Sequence, residues 1–199
     1  MSNVIIAVGP TGGFATKADS PYLPTTPEDI AAEATAAYAA GAAVVSVHLR
    51  DEQQRPTADP DIAGRTMDLI GEQSPILVQL STGVSPDAPF EDRAELLELR
   101  PRTAENLLHT VRALPGDSVW QAIAIGRANF DFAVIAIALG GNARTGLEDN
   151  LYLRRGELTP GNAPLVTRAV NICRALDRDV ATPVDAERIL GLSPAAVHG

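Results

Sequence analysis

The chain has one cysteine, little positive charge and no apolar stretch long enough to cross a bilayer. With Cys173 alone, no disulfide can form within the chain, so the fold must rest on its own core. Cys173 falls in the helical pattern "LVTRAVNICRAL", where a thiol reads as part of a buried helix face. Lysine and arginine number 16 against 25 aspartates and glutamates, a formal net charge of −9. No basic cluster is present to neutralise phosphates, which argues against a nucleic-acid partner. No apolar run approaches the ~20 residues of a membrane span. The start, "MSNVIIAVGP", lacks the basic segment and small-residue cleavage site of a signal peptide. The expectation is a cytoplasmic protein with no membrane partner. Repeats, low-complexity tracts and linkers are also missing, so residues 1–199 read as one domain, 45% hydrophobic and long enough to bury a sizeable core.

What is present is an alternation of strands and helices. "NVIIAV" is a β-branched run ended by "GPTGG", a buried strand followed by a glycine-rich loop. "LPTTPEDIAAEATAAYAAG" opens a helix with Thr26 as N-cap, Pro27 in the first position, Glu28 and Asp29 at the positive end, and Gly41 as the stop. "AAVVSVHLRD" is the second strand, and Asp59 with Pro60 starts the helix "PDIAGRTMDLIGEQ". "PILVQLSTG" is the third strand, with the helix "FEDRAELLEL" behind it. A helix "TAENLLHTVRAL" leads to the fourth strand, "VWQAIAIG". "NFDFAVIAIAL" is apolar almost all round and is expected to be buried. The fifth strand includes "ARTGLE"; a helix near Ala163–Leu176 and a short capped helix, "TPVDAERIL", finish the chain. Near-continuous apolar strands alternating with helices predict a parallel sheet covered on its faces, a barrel or a doubly wound sheet.

Ligands of such folds bind outside the carboxyl ends of the strands. Five predicted strand ends turn polar there: Thr11 after the first, His48, Arg50 and Asp51 after the second, Ser81, Thr82 and Gly83 after the third, Gly126 and Arg127 after the fourth, and Arg144, Glu148 and Asp149 around the fifth. His48 reads either as a satisfied core histidine or, with Glu148 on the same rim, as half of a divalent-metal site. Position 46, two residues back on the same strand face, is serine, a poor ligand. Arg144 and Asp149 form either a structural ion pair or a fork for a substrate carboxylate with a buried acid beside it. "STG" offers a hydroxyl and free amides for an oxyanion, and is equally ordinary turn chemistry. His109 and His198 read as structural or surface residues.

Taken together, "LPTTPEDIAAEATAAYAAGAAVVSVHLRD", "VQLSTG", "ALGGNARTGLEDNLYLRRGEL" and "ATPVDAERILGL" resemble the β-keto acid cleavage enzymes, with "GLEDN" and its leading arginine the most specific stretch. The resemblance runs in order from residue 4 to residue 192. It implies a TIM barrel, an oligomer, a catalytic divalent metal, typically zinc, and exchange of a unit between a β-keto acid and acetyl-CoA to give acetoacetate and a new acyl-CoA. It further implies that His48 and Glu148 are metal ligands, that Arg144 and Asp149 are the acid–base and orienting pair, and that Ser81 and Thr82 touch substrate. Gly126 and Arg127, ahead of a helix, would receive CoA phosphate.

Two departures follow from the same resemblance. The family pattern at strand two is His-x-His, and here it is Ser46-Val-His48; Asn142 likewise stands where the family usually has histidine. The chain also passes from "EDRAELLEL" to "TAENLLHTV" without the strand–helix units the family has there, about three of the eight strands of the barrel. The expected fold is therefore α/β, a TIM-barrel-derived parallel strand–helix repeat lacking about three units, and its uncovered edges predict a homo-oligomer. The expected function is metal-dependent cleavage and condensation of a β-keto acid with acetyl-CoA. The alternatives are a non-catalytic or regulatory relative that binds a small carboxylate or acyl-CoA, and a metal-free enzyme using Asp149 and Ser81.

Overall fold

The computed structural model describes residues 3–57, 59–81 and 104–192. In it, β1 (Ile6–Val8), β2 (Val44–Val47), β5 (Leu77–Leu80), β6 (Gln121–Ala122) and β7 (Asn142–Thr145) form one sheet in the order β5-β2-β1-β7-β6. All four pairings are parallel, with Ala7 opposite both Val44 and Arg144. The helices are α1 (Pro27–Ala39), α2 (Pro60–Gln73), α3 (Ala104–Ala113), α4 (Asn129–Ala138), α5 (Ala163–Ala175) and α6 (Pro183–Leu190). The order, with the first strand central and the last two beside it, is that of a barrel wall that runs past its own starting strand. Among the described residues it is a five-stranded arc whose outermost strands are β5 and β6.

Alternation along the strands separates two cores. Ile6, Val8, Val45 and Val47 turn outward onto Ile30, Ala34, Ile70, Ile137, Val166 and Cys173 of the helices. Ile5, Ala7, Val44 and Leu77 turn inward, where Ala186 of α6 covers them. Thr26 caps α1, accepting from the Asp29 amide. A Cβ at Gly41, which has φ +110, would lie 2.8 Å from Val170 Cγ2, so a glycine ends this helix for reasons of both space and conformation. A reciprocal Thr182–Asp185 capping box opens α6 and left-handed Gly191 closes it, as its pattern predicts.

Several boundaries differ from the sequence reading. The second strand ends at Val47; beyond His48 the chain makes a separate antiparallel pair, β3 (Leu49–Arg50) with β4 (Pro56–Thr57). The fifth strand stops at Thr145 because Gly146 begins a tight turn, and an unforeseen hairpin, β8 (Tyr152–Arg154) with β9 (Glu157–Leu158), follows. Helix α4 is not buried all round: Ala133 and Ile137 pack into the core with the sheet and Phe130 lies under Arg168 of α5, whereas Val134 stays exposed, since only one side of α4 meets other elements. The expected helix "FEDRAELLEL", with Thr82, Gly83 and His198, lies outside the described residues.

Candidate active site

Two glycine-rich turns build the platform at the carboxyl end of the sheet. The Gly9 amide donates to Thr145 O at 2.9 Å and the Glu148 amide donates back to Gly9 O at 3.0 Å, stitching the ends of β1 and β7 together. A Cβ on Gly146, at φ +141, would sit 2.2 Å from Gly9 O, an approach only glycine permits. The amides of Asp149 and Asn150 both donate to Gly146 O, so residues 146–150 coil into one turn that presents two adjacent carboxylates. That turn is braced from behind: the Leu147 amide donates to Asn162 Oδ1 at 2.9 Å, and Asn162 Nδ2 donates to Glu33 Oε2 at 2.9 Å. Sequence reasoning missed Asn162 and Glu33, since neither stands at a strand end.

On this platform the structure gathers four of the predicted residues. Arg144, on β7, donates from Nε to Asp149 Oδ2 at 2.9 Å and from Nη2 to Asp149 Oδ1 at 2.6 Å, a two-pronged fork. Its Nη2 also lies 2.9 Å from Glu148 Oε1, and His48 Nε2 approaches the same oxygen at 3.3 Å. The third guanidinium nitrogen, Nη1, has among the described residues only a long 3.4 Å contact with Ser46 Oγ. The Asp149 side chain is fully buried, and that of Arg144 is 12% exposed. Glu148 lies in a cradle: a Cβ at Gly9 would be 2.5 Å from its Oε2, and one at Gly12 2.5 Å from its Cγ.

Charges this close and this dry shift one another. Burial works against the charge on Glu148, but His48 and Arg144 outweigh it and hold the carboxyl below its ordinary value. For Asp149 burial is the largest influence and pushes its pKa up, against the pull of Arg144. The two-pronged geometry is that of an ionised carboxylate, and a raised pKa makes that carboxylate a better proton acceptor. Burial opposes the charge of Arg144 as well; Asp149 and Glu148 reverse the balance and raise its pKa, so it is cationic at any working pH.

A divalent ion is the cofactor the sequence resemblance implies, and the donors fit one in part of its shell. His48 Nε2 and Glu148 Oε1 are side by side, of the nitrogen and oxygen types zinc accepts. Glu148 Oε2 is buried without a hydrogen-bond partner among the described residues, an acceptor left over for a cation. No group of three or more His, Cys, Asp or Glu converges as a metal cage among the described residues. An ion here would have two protein donors and would draw its other ligands from solvent or substrate.

The remaining candidates go elsewhere. Ser81 leaves β5 beside His48, its amide on Val47 O at 2.9 Å. Thr11 is fully buried and donates its hydroxyl to Pro24 O at 2.9 Å, so it pins the loop after β1 instead of offering a free hydroxyl to substrate. Arg50 is buried too, donating to Gly12 O, Ala15 O and Gln54 O and fixing the glycine loop that Glu148 rests on. Asn142 stands at the far end of β7, where it clamps strands by accepting from the Ile5 amide and donating to Trp120 O. Arg127 lines a separate cleft.

Comparison with known proteins gives a consistent picture. Residues 3–105 and 100–192 match the beta-keto acid cleavage enzyme family. The two matched segments overlap at residues 100–105. The chain is 26% identical over 269 aligned positions to a 3-keto-5-aminohexanoate cleavage enzyme of Fusobacterium nucleatum, covering 96% of this chain and 99% of that one. It is 27% identical over 276 positions to a 3-oxoadipate:acetyl-CoA acetyltransferase of Cupriavidus necator, covering 98% and 97%. Both alignments are longer than this chain, so each relative carries residues it lacks. Among solved structures, ObcA in ternary complex with a C4-CoA adduct and oxalate superposes with a TM-score of 0.66 at 17% identity, over 87% of this chain and 68% of that one. The shared fold is a parallel α/β barrel, of which this chain holds part.

Proposed function

The chain belongs to the beta-keto acid cleavage enzyme family, and we propose that it converts a β-keto acid and acetyl-CoA into acetoacetate and a new acyl-CoA, with Arg144 and Asp149 as the working pair. The observation that carries this reading is the fork itself. A guanidinium is held rigidly by two carboxylates, and among the described residues its Nη1 side keeps only a long contact to Ser46. That side is suited to grip a substrate carboxylate or keto oxygen.

The chemistry asked of the site is proton transfer at carbon, then exchange of acyl groups. Asp149, with its raised pKa, accepts a proton from the carbon between the keto and carboxylate groups of the substrate. Arg144 stabilises the enolate that remains. The carbanion attacks the thioester carbon of acetyl-CoA, forming a carbon–carbon bond and releasing the CoA thiolate. The thiolate adds to the original keto carbon; the bond from that carbon to the former α-carbon breaks, leaving a new acyl-CoA and the enolate of acetoacetate. Asp149 returns its proton to that enolate, so atoms and charge balance. His48 and Glu148 would hold a divalent ion, which when bound supplies further polarisation of the keto oxygen. Ser81, at the end of β5, would contact the acyl group.

The test is turnover of a panel of β-keto acids with acetyl-CoA, followed by acetoacetate formation. Activity in the wild type, lost in Asp149→Asn with the fold intact, supports the reading. A wild type that binds β-keto acids and turns over none of them supports a binding protein instead.

A further inference from the structure

Asn162 stands at the N-cap of α5, where an asparagine ordinarily accepts a hydrogen bond from the first amides of its own helix. It makes no such bond. Thr26, Asp59 and Thr182, the caps of α1, α2 and α6, all do. The Asn162 side chain, fully buried, turns to other elements instead. Its Oδ1 accepts from the Leu147 amide at 2.9 Å. Its Nδ2 donates to Glu33 Oε2 at 2.9 Å and keeps a longer contact, 3.5 Å, with Pro10 O. The Asn162 amide is capped from outside, donating to the same Glu33 oxygen at 2.7 Å.

Glu33 is the one charged side chain between Ile30 and Ala39 of an alanine-rich helix. It is half-buried, a turn beyond Ile30, at the margin of the face that α1 turns to the core. A Cβ at Gly161 would lie 3.0 Å from Glu33 Oε1, so a glycine beside Asn162 lets the carboxylate come this close. Thr159, also fully buried, donates its hydroxyl to Gly161 O at 2.7 Å and its amide to Leu151 O at 2.9 Å, tying Asn162 back to the end of the turn.

What Asn162 holds is the backbone on both sides of the site. Leu147 immediately precedes Glu148 and Asp149. Pro10 follows Gly9, whose carbonyl accepts from the Glu148 amide. The same side chain therefore touches both walls of the cradle around Glu148 and the turn that aims Asp149 at Arg144. Groups that move a proton work only when held in place, and a misplacement of ~1 Å can lower a rate about 100-fold.

Resting on the reaction proposed above, we infer that Glu33 and Asn162 are its positioning pair: reaching from α1 and from the start of α5, they fix the turn of residues 146–150 so that Asp149 stays in its fork with Arg144. Both act through Leu147 and Pro10. The pair needs an acceptor at position 33 and not a charge, because both of its bonds end on one oxygen.

The experiment compares the wild-type chain with Glu33→Ala, Glu33→Gln and Asn162→Asp, each assayed well below its own melting temperature. Glu33→Gln keeps an acceptor oxygen and loses the charge, Glu33→Ala loses both, and Asn162→Asp sets a second carboxylate oxygen against Glu33. One readout is kcat and KM for the keto acid. The other is the NMR signal of the Arg144 Nε–H, which reports its bond to Asp149 without any turnover. Glu33→Ala and Asn162→Asp should lower kcat on the order of 10–100-fold. KM should change little, since Arg144 sits on β7 and not on the turn. In both variants the Arg144 signal should shift and exchange faster with solvent. Glu33→Gln should stay close to the wild type in both readouts, and adding it to Asn162→Asp should recover part of that loss. Wild-type kcat with an unmoved Arg144 signal in Glu33→Ala would overturn the inference, as would a loss in Glu33→Gln as large as that in Glu33→Ala. A wild type that turns over no β-keto acid, with an Arg144 signal that moves in Glu33→Ala and returns in Glu33→Gln, would overturn the proposed reaction and leave the hold of this pair on the turn standing.

Discussion

Replacing Arg144 with methionine removes the one cation that faces two buried carboxylates. Asp149 has no solvent-exposed side-chain surface and Glu148 little, so neither can recover its lost partner from water. His48 remains against Glu148, but Asp149 loses both of its close contacts. Breaking one partner out of a buried pair costs about 3–5 kcal/mol, a large share of the ~5–15 kcal/mol that holds a domain together. For a chain of this size that lowers the melting temperature by on the order of 10 °C. The pH dependence identifies the cause. Without Arg144, Asp149 keeps the upward push of burial and loses the opposing pull, so its folded pKa rises further above the unfolded value. A raised folded pKa contributes stability that is complete below the unfolded pKa, near 3.9, and is lost as pH rises through the folded one. The variant's deficit should therefore shrink on acidification, where Asp149 is neutral. Arg144→Met/Asp149→Leu, with both charges gone, should regain much of the loss at pH 7. Urea denaturation of the wild type, both single variants and the double variant, at pH 7 and pH 5, measures all of this as a double-mutant cycle. A cost below about 1 kcal/mol for Arg144→Met, with no coupling to Asp149, would show that the fork behaves as a surface pair and refute the reasoning.

Three further outcomes test other parts of the site. Ser46→His supplies a third donor next to His48 and Glu148, and competition against a chromogenic chelator should show zinc affinity rising at least tenfold over the wild type; an unchanged affinity would mean that position 46 does not face the metal donors. Gly146→Ala places a Cβ against Gly9 O in a backbone region alanine avoids, so stability should fall by about 1–3 kcal/mol or more and turnover should fall further, as the turn carrying Glu148 and Asp149 shifts. Thr11→Val removes the hydroxyl that holds Pro24 O; about 1–3 kcal/mol of stability should be lost with KM for the keto acid little changed, whereas a KM effect without a stability effect would return Thr11 to the substrate.

The sequence made the order of elements legible because their boundaries are chemical. Thr26-Pro27 and Thr182-Pro183 open helices through caps that need no tertiary context, and the β-branched runs at residues 4–8 and 44–47 admit little but buried strand. The rim rule placed His48, Arg144, Glu148 and Asp149 at strand ends, and they do meet. The misses were of another kind. Thr11 satisfies the rim rule as well as Ser81 does, and only the fold shows that Pro24 O sits within reach of its hydroxyl. Arg50, Asn162 and Glu33 act across 35 to 129 residues of sequence, a range at which no local pattern carries a signal. The cleft that Arg127 lines was half visible: Arg127 stood out at a strand end, but Arg154, Arg155 and Arg168 join it only because the β8–β9 hairpin folds back, which the sequence did not announce.

The sheet order also explains how a chain lacking part of a barrel keeps a complete cluster. Glu148, Arg144 and Asp149 come from β7 and the turn after it, Gly9 and Gly12 from the loop after β1, and Ser46 and His48 from β2 and its end. Those are the three central strands of the order β5-β2-β1-β7-β6, each hydrogen-bonded to a neighbour on both sides. What a closed eight-stranded barrel has in excess of this arc would lie between β5 and β6, on the opposite wall. Shortening there changes what faces the inner apolar surface, where Ile5, Val44, Leu77 and Trp120 line a cavity of about 390 Å³. It leaves the register that brings Arg144 to Asp149 untouched. The described arc keeps the cluster of His48, Arg144, Glu148 and Asp149, so the residues that only the longer relatives carry are the ones that would bear on the variable part of a substrate. Substrate range should therefore be where this chain differs from its longer relatives: it should accept keto acids with bulkier distal groups, measured as a flatter dependence of kcat/KM on chain length. A dependence as steep as theirs would mean that the opposite wall is rebuilt.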